Sequence, residues 1–310
     1  MKRITRETFG PVADWRIFVE TIDAGHTLPK AEVADVFLGQ PGNTLLSRAA
    51  RIEGIGFGVK SVTVISDNVQ RGRPTVQGGM IVFDEDTGSP IALIDSARIT
   101  DIKTAADSVL GARYLARDDV RHMVVLGAGS VAANVIAAYR QVFPQLERFT
   151  LWNRTHAKAT TLAETLQSQG LPVMTTRNVA EAVSQADIVT CATMTTDPIL
   201  MGDWLRPGTH VDLIGAYRAD MREADDEVLT RGDIYVDSRD TTLAHIGELK
   251  IPLDAGTITE ADVLADLYQL KADGPAPRKT DTITIFKNGG GAHLDLMIAN
   301  AILQLEATKK

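Results

Sequence analysis

The sequence predicts an α/β fold in which a doubly wound parallel domain is inserted into an α+β domain, and three observations predict it. Apolar strand-like runs alternate with helical stretches over 121–285. Residues 44–95 are instead rich in Val, Ile, Thr and Gly, with turn signals at Asp67-Asn68, Gly72 and Asp86-Thr87-Gly88, as in an antiparallel sheet. An apolar helical stretch, 292–305, follows the alternating region and is expected to pack back onto the first domain. The expected division is 1–120 plus 286–310 for one domain and 121–285 for the other.

Taken in order, the N-terminal part reads as helical over about 5–20 and 29–36, the sheet follows, and 100–117 reads as a long helix with Thr104, Ala105 and Ser108 among its small residues. The inserted domain then reads as strand 122–126, helix 130–143, strand 148–152, helix 156–168, and strands near 172–174, 187–191, 209–213 and 233–236. Asp220-Met-Arg-Glu223 precedes a helix-like stretch, and its Asp-x-x-Glu spacing suits a capping box. Residues 272–277, Ala-Asp-Gly-Pro-Ala-Pro, are the strongest loop signal in the chain.

The run Val124-Val-Leu-Gly-Ala-Gly-Ser-Val-Ala-Ala-Asn134 makes the inserted domain a dinucleotide-binding domain of the Rossmann type. Gly127 allows a tight turn, Gly129 lets backbone approach a pyrophosphate, and Ala132 stands where a third glycine packs helix on strand. The helix opening at Ser130 and Val131 presents backbone N–H groups to the diphosphate. NAD-specific versions end the second strand in Asp or Glu, which accepts from the ribose 2′-hydroxyl. Here that place holds Asn153-Arg154-Thr155, a guanidinium and a hydroxyl suited to a 2′-phosphate. NADPH is therefore the expected cofactor, with NADH bound more weakly; Thr193 and Met194, just past the 187–191 strand, complete the expected cofactor set.

The 310 residues are 44% hydrophobic and 23% charged, which suits a soluble protein with full cores. A net charge of −8 and the lack of a long basic run with interleaved aromatics argue against nucleic acid as a partner. No run reaches the eighteen or so apolar residues of a membrane span, and the N-terminus carries no apolar leader, so a cytoplasmic protein is expected. Cys191 is the only cysteine, which excludes an intrachain disulfide. His26, His122, His156, His210, His245 and His293 are scattered without ligand spacing; each reads as a surface or packing residue, and no metal is expected.

Five segments in register resemble the ornithine cyclodeaminase and mu-crystallin family over nearly the whole chain. They are Gly58-Val-Lys60-Ser-Val-Thr with Asn68 downstream, Phe83-Asp-Glu-Asp-Thr-Gly88 leading to Ala92-Leu-Ile-Asp95, Ile99-Thr100 with Lys103-Thr-Ala-Ala106, Gly127-Ala-Gly129, and Ile285-Phe-Lys287. The resemblance implies that the first domain is catalytic and forms a homodimer through its antiparallel sheet. It also implies a small imino acid or amino acid as substrate, a lysine at Lys60 beside nicotinamide and substrate, and a carboxylate-gripping arginine at the position of Lys103. Lysine there keeps the charge but loses the planar two-point fork. A further basic residue is expected early in the domain, with Arg48 and Lys30 as the candidates. Lys60 stands among Gly58, Val59, Val62 and Val64, a setting in which an unpaired lysine is costly.

Cyclodeaminases of this family carry an aspartate just after the strand that here ends Leu213-Ile-Gly-Ala216, and an ungapped reading puts Tyr217 in its place. Without that base, hydride transfer survives while hydrolysis and ring closure do not. The expected activity is therefore NADPH-dependent reduction of small cyclic ketimines such as Δ1-pyrroline-2-carboxylate or Δ1-piperideine-2-carboxylate, with Lys60 and Lys103 as catalytic residues and Arg48, Lys60 and Lys103 binding substrate. The alternatives are a deaminating lyase acting on ornithine, an alanine dehydrogenase or opine-type imine reductase, and a non-catalytic NADPH-dependent binder.

Overall fold

The computed structural model describes residues 1–40, 42–275 and 279–309. Its contacts divide the chain into two compact units, Met1–Lys103 with Gly291–Lys310, and Thr104–Gly290. The chain thus leaves the first unit inside a long helix, ahead of the 120/121 boundary read from the sequence, and re-enters it at Gly291.

The first unit runs β1 (Lys2–Ile4), α1 (Arg6–Phe9), α2 (Trp15–Gly25), β2 (Glu32–Gln40), β3 (Asn43–Ile52), β4 (Gly56–Ile65), β5 (Val76–Phe83), β6 (Pro90–Asp95) and the start of α3 (Ser96–Leu115). Its sheet has the order β1-β6-β5-β4-β3-β2, antiparallel except for β1 alongside β6. The helix expected over 5–20 is broken at Gly10, whose φ of 78° is left-handed, and a new helix starts at Trp15 with the Asp14 carboxylate accepting from Arg16 N–H. The helix expected over 29–36 is strand β2, paired with β3 along its whole length from Glu32↔Arg51 to Gln40↔Asn43. Val33, Val36 and Phe37 are strand formers, and pairing with β3 decides their state.

The second unit continues with β7 (His122–Leu126), α4 (Ser130–Val142), β8 (Arg148–Trp152), α5 (His156–Ser168), β9 (Val173–Thr175), α6 (Val179–Ser184), β10 (Ile188–Cys191), β11 (His210–Leu213), α7 (Asp226–Arg231), β12 (Gly232–Val236), α8 (Arg239–Thr242), α9 (Gly247–Asp254), β13 (Val263–Asp266), α10 (Leu267–Asp273) and β14 (Ile283–Lys287). Its sheet has the order β13-β12-β14-β11-β10-β7-β8-β9, and every pair is parallel. Strand order reverses between β7 and β10, the switch point outside whose carboxyl ends open α/β sheets take their ligands. The central strands β7, β10, β11 and β14 are buried on both faces, and Val124, Leu126, Val189, Val211, Leu213 and Ile285 form the centre of the core. Ala276 and Pro277 of the expected 272–277 loop lie outside the described residues.

The chain ends in α11 (Ala292–Thr308), which packs on α2 and across β3 and β4 of the first unit. The capping box expected at Asp220 and Glu223 is absent. Helix α7 begins later and is capped by Asp225, whose carboxylate accepts from Val228 N–H at 3.0 Å. Arg218 occupies the Asp220 carboxylate, and loop N–H groups occupy that of Glu223.

Candidate active site

Alternation along β4 turns Gly56, Gly58, Lys60 and Val62 to the buried face. A lysine there needs a partner, and α11 brings one. At Gly58 an added Cβ would lie 2.4 Å from Met80 Cε and 3.0 Å from Leu296 Cδ1, so a larger residue there would displace both side-chain tips, that of Leu296 on α11 among them. The residue before Leu296 is Asp295, fully buried; its Oδ1 accepts a hydrogen bond from Lys60 Nζ at 2.7 Å, and its Oδ2 lies 2.6 Å from the same ammonium as an ion-pair contact.

Arg48 stands directly opposite Lys60 in the β3–β4 register, so two cations share one face. Asp35, opposite Arg48 on β2, takes its guanidinium at 2.8 Å. Lys103 on α3 is buried and forms no hydrogen bond or ion pair among the described residues, yet its charge acts on Lys60, Asp295 and His293. Arg48, Lys60 and Lys103 are thus brought together around Asp295, whereas Lys30 is exposed ahead of β2. Burial drives the Lys60 ammonium down from its usual range to about 8, helped by Lys103 and Arg48 and opposed by Asp295. Lys60, Lys103 and Arg48 hold the Asp295 carboxyl below its ordinary value in spite of its burial. His293 is driven down to about 3, first by burial, then by His26 and Lys103, so it stays neutral as a packing residue against His26.

In the second unit the glycine turn has the geometry a dinucleotide needs. Gly127 follows β7 with φ 124°, donates to the Trp152 carbonyl at 2.8 Å, and has no room for a side chain, since a Cβ would lie 2.4 Å from the Ala192 carbonyl oxygen. Gly129 is the opposite case: exposed, with open space where a Cβ would stand. No side chain caps α4, so the N–H groups at exposed Ser130 and half-buried Val131 face a region with room for a phosphate. At the end of β8, Asn153 bonds the Thr155 carbonyl at 3.0 Å, Thr155 opens α5, and Arg154 is exposed without a hydrogen bond to any described residue. Thr193 and Met194 follow β10, the first half-buried and bonded to Glu223, the second exposed. These residues fit a pyrophosphate and a 2′-phosphorylated adenosine.

Tyr217 is about half exposed beyond β11, with Arg218 over its ring, and no carboxylate stands at that position. The Arg218 guanidinium clamps Asp220 at 2.8 Å and 3.0 Å and holds its carboxyl below the ordinary range, which makes it a poor base. The sequence did not single out Asp35 or Asp295. For Asp295 there was a signal: an acid inside an otherwise apolar helix demands a buried cation.

The family model described as "Ornithine cyclodeaminase/mu-crystallin family" matches residues 47–309. The chain is 53% identical over 294 residues to Delta(1)-pyrroline-2-carboxylate reductase of Paracoccus denitrificans, covering 94% of this chain and 93% of the relative. It is 32% identical to the ketimine reductase mu-crystallin of Rattus norvegicus, covering 78% of this chain and 74% of that protein. Among solved structures, Thermococcus litoralis Delta(1)-pyrroline-2-carboxylate reductase in complex with NADH and L-proline superposes with a TM-score of 0.92 at 26% identity, covering 99% of this chain and 98% of that one. Matched along most of its length by model, relatives and fold alike, the chain belongs to the ornithine cyclodeaminase/mu-crystallin family.

Proposed function

We propose that this protein is an NADPH-dependent reductase of small cyclic ketimines, Δ1-pyrroline-2-carboxylate or Δ1-piperideine-2-carboxylate, yielding proline or pipecolate. The observation that carries the reading is a surplus of one cation in this cluster: Asp35 answers half-buried Arg48 and Asp295 answers buried Lys60, while buried Lys103 forms no ion pair among the described residues. A substrate carboxylate supplies its partner. The identity to the Paracoccus reductase supports the same substrate class.

When bound, the reduced nicotinamide supplies the hydride that the imine carbon accepts. Lys103, with Arg48, fixes the substrate carboxylate and so the ring, mainly a positioning contribution. Lys60, charged below about pH 8, donates its proton to the imine nitrogen, and Asp295 holds the ammonium in place. Gly127, Gly129, Ser130, Val131, Asn153, Arg154, Thr155, Thr193 and Met194 would hold the dinucleotide, Arg154 taking the 2′-phosphate. The lack of a carboxylate at Tyr217 and the occupied state of Asp220 weigh against a deaminating lyase.

The same reading includes a homodimer formed through the first unit's sheet. Every residue of edge strand β2 is exposed, among them Val36, Phe37 and Leu38 at 51%, 66% and 58%, an apolar edge that a lone chain leaves open to water. Among the described residues no helix is long and apolar enough to cross a membrane, and we place the enzyme in the cytoplasm with the NADPH it consumes. The test is direct: NADPH absorbance is followed with each cyclic imine, and ammonia is followed with ornithine and NAD. Imine-dependent NADPH loss is expected; ammonia release without it would return the protein to the lyase class.

A further inference from the structure

Glu223 lies in the loop after β11, ahead of α7, and is fully buried. Its carboxylate accepts three hydrogen bonds: from Thr193 N–H at 2.6 Å, from the Thr193 hydroxyl at 2.7 Å, and from Gly215 N–H at 2.5 Å. Thr193 belongs to the loop after β10 and Gly215 to the loop after β11. The two loops touch there, since a Cβ on Gly215 would lie 1.9 Å from the Thr193 carbonyl oxygen. The β10 loop also forms one wall of the switch point, where the Ala192 carbonyl packs against Gly127.

Burial pushes the Glu223 carboxyl upward, and Lys287, fully buried at the end of β14, opposes this together with the N–H donors. Glu248 fixes the Glu223 backbone, accepting from Glu223 N–H at 2.8 Å and Ala224 N–H at 3.0 Å. Two buried acids and a buried lysine at the carboxyl ends of the strands are costly to assemble. The hydrogen bonds they make serve the backbone of the two loops that follow the switch point.

We infer that Glu223 is a positioning residue for the nicotinamide half of the dinucleotide, acting by locking the β10 and β11 loops to each other at Thr193 and Gly215. With the 2′-phosphate at β8 and the pyrophosphate at α4, a dinucleotide laid across the switch point extends its other half toward β10 and β11. Glu223 touches no reacting atom in this role. It sets backbone that the nicotinamide contacts.

The inference rests on the reading that this unit binds NADPH, so the test measures binding without substrate. NADPH is titrated by its fluorescence, and 2′-phospho-ADP-ribose, which lacks nicotinamide, by calorimetry, with circular dichroism and Tm as folding controls. Glu223→Gln can turn only one acceptor oxygen toward three donors and leaves at least one of these half-buried donors without its partner. Expected is NADPH binding weaker by about tenfold or more, with the fragment within about twofold of the parent. Equal weakening of both would mark a general structural role, and unchanged NADPH affinity would show that the loops need no lock; either result overturns the inference. Should Glu223→Gln fail to fold, Thr193→Val, which deletes the hydroxyl bond alone, must show the same split at about threefold or more, and its absence overturns the inference equally. Failure of the parent protein to bind either ligand would refute the dinucleotide reading itself, and the inference with it.

Discussion

Lys60 and Asp295 stand 235 residues apart in the chain, yet the ammonium of one lies 2.7 Å and 2.6 Å from the two carboxylate oxygens of the other, both side chains buried. The pair places a titratable acid on the inner face of β4 with its proton near the pH at which an imine needs one. If that proton is the one transferred, Lys60→Met lowers kcat by about a hundredfold, the ordinary contribution of a general acid. An effect confined to KM would show that Lys60 only binds.

The same pair fixes a pH dependence. Lys60 titrates at about 8, below its ordinary 10.5, so its proton is present under pH 8 and lost as pH rises through that value. The rate of imine reduction is expected to fall along that limb. In Asp295→Asn the carboxylate that retains the proton is gone, and the limb moves to lower pH. A limb that stays in place, or moves up, would contradict the coupling.

Arg154 is exposed at the end of β8 with no acid nearby in the Asn153-Arg154-Thr155 turn. Arg154→Asp is expected to weaken NADPH by roughly ten- to a hundredfold, the range of a charge-assisted hydrogen bond, while NADH changes little. Titration of both cofactors checks this. Equal affinities in the parent protein would mean that the 2′-phosphate has no site here.

Asp220 is exposed and committed to Arg218, and an ion pair this open to water contributes little to stability. Asp220→Asn should therefore leave kcat and KM for imine reduction within a few-fold. A collapse of turnover would make this carboxylate the catalytic base after all.

Phe37 is 66% exposed on β2, and Leu38 beside it 58%. If a second copy covers this edge, Phe37→Asp shifts the protein from dimer to monomer in sedimentation at micromolar concentration. A parent protein that is monomeric under those conditions, or a variant that remains a dimer, would contradict the interface.

The second unit was legible because its signals are local. Strands 122–126 and 148–152 and the helix over 156–168 stand where apolar runs and turn residues put them, and Gly127 adopts the positive φ that its place in the turn requires. The first unit was less so. Strand β2 is set by pairing with β3, information absent from its own periodicity. Glu223 has the spacing of a cap partner, and only the fold shows that its carboxylate is spent on Thr193 and Gly215. Lys60 was readable as a buried lysine from its apolar neighbours, but its partner lay in the last helix, beyond the reach of any local rule.

The central claim is hydride transfer to a cyclic imine carbon, and isotope transfer tests it most directly. NADPH carrying deuterium at both C4 positions is incubated with the protein and Δ1-pyrroline-2-carboxylate, and the amino acid product is weighed by mass spectrometry while ammonia is assayed. The account predicts proline one mass unit heavier, labelled at the α-carbon, formed in step with NADPH oxidation and without ammonia. Unlabelled proline, or ammonia released from ornithine with NAD while NADPH and imine stand unchanged, would contradict it.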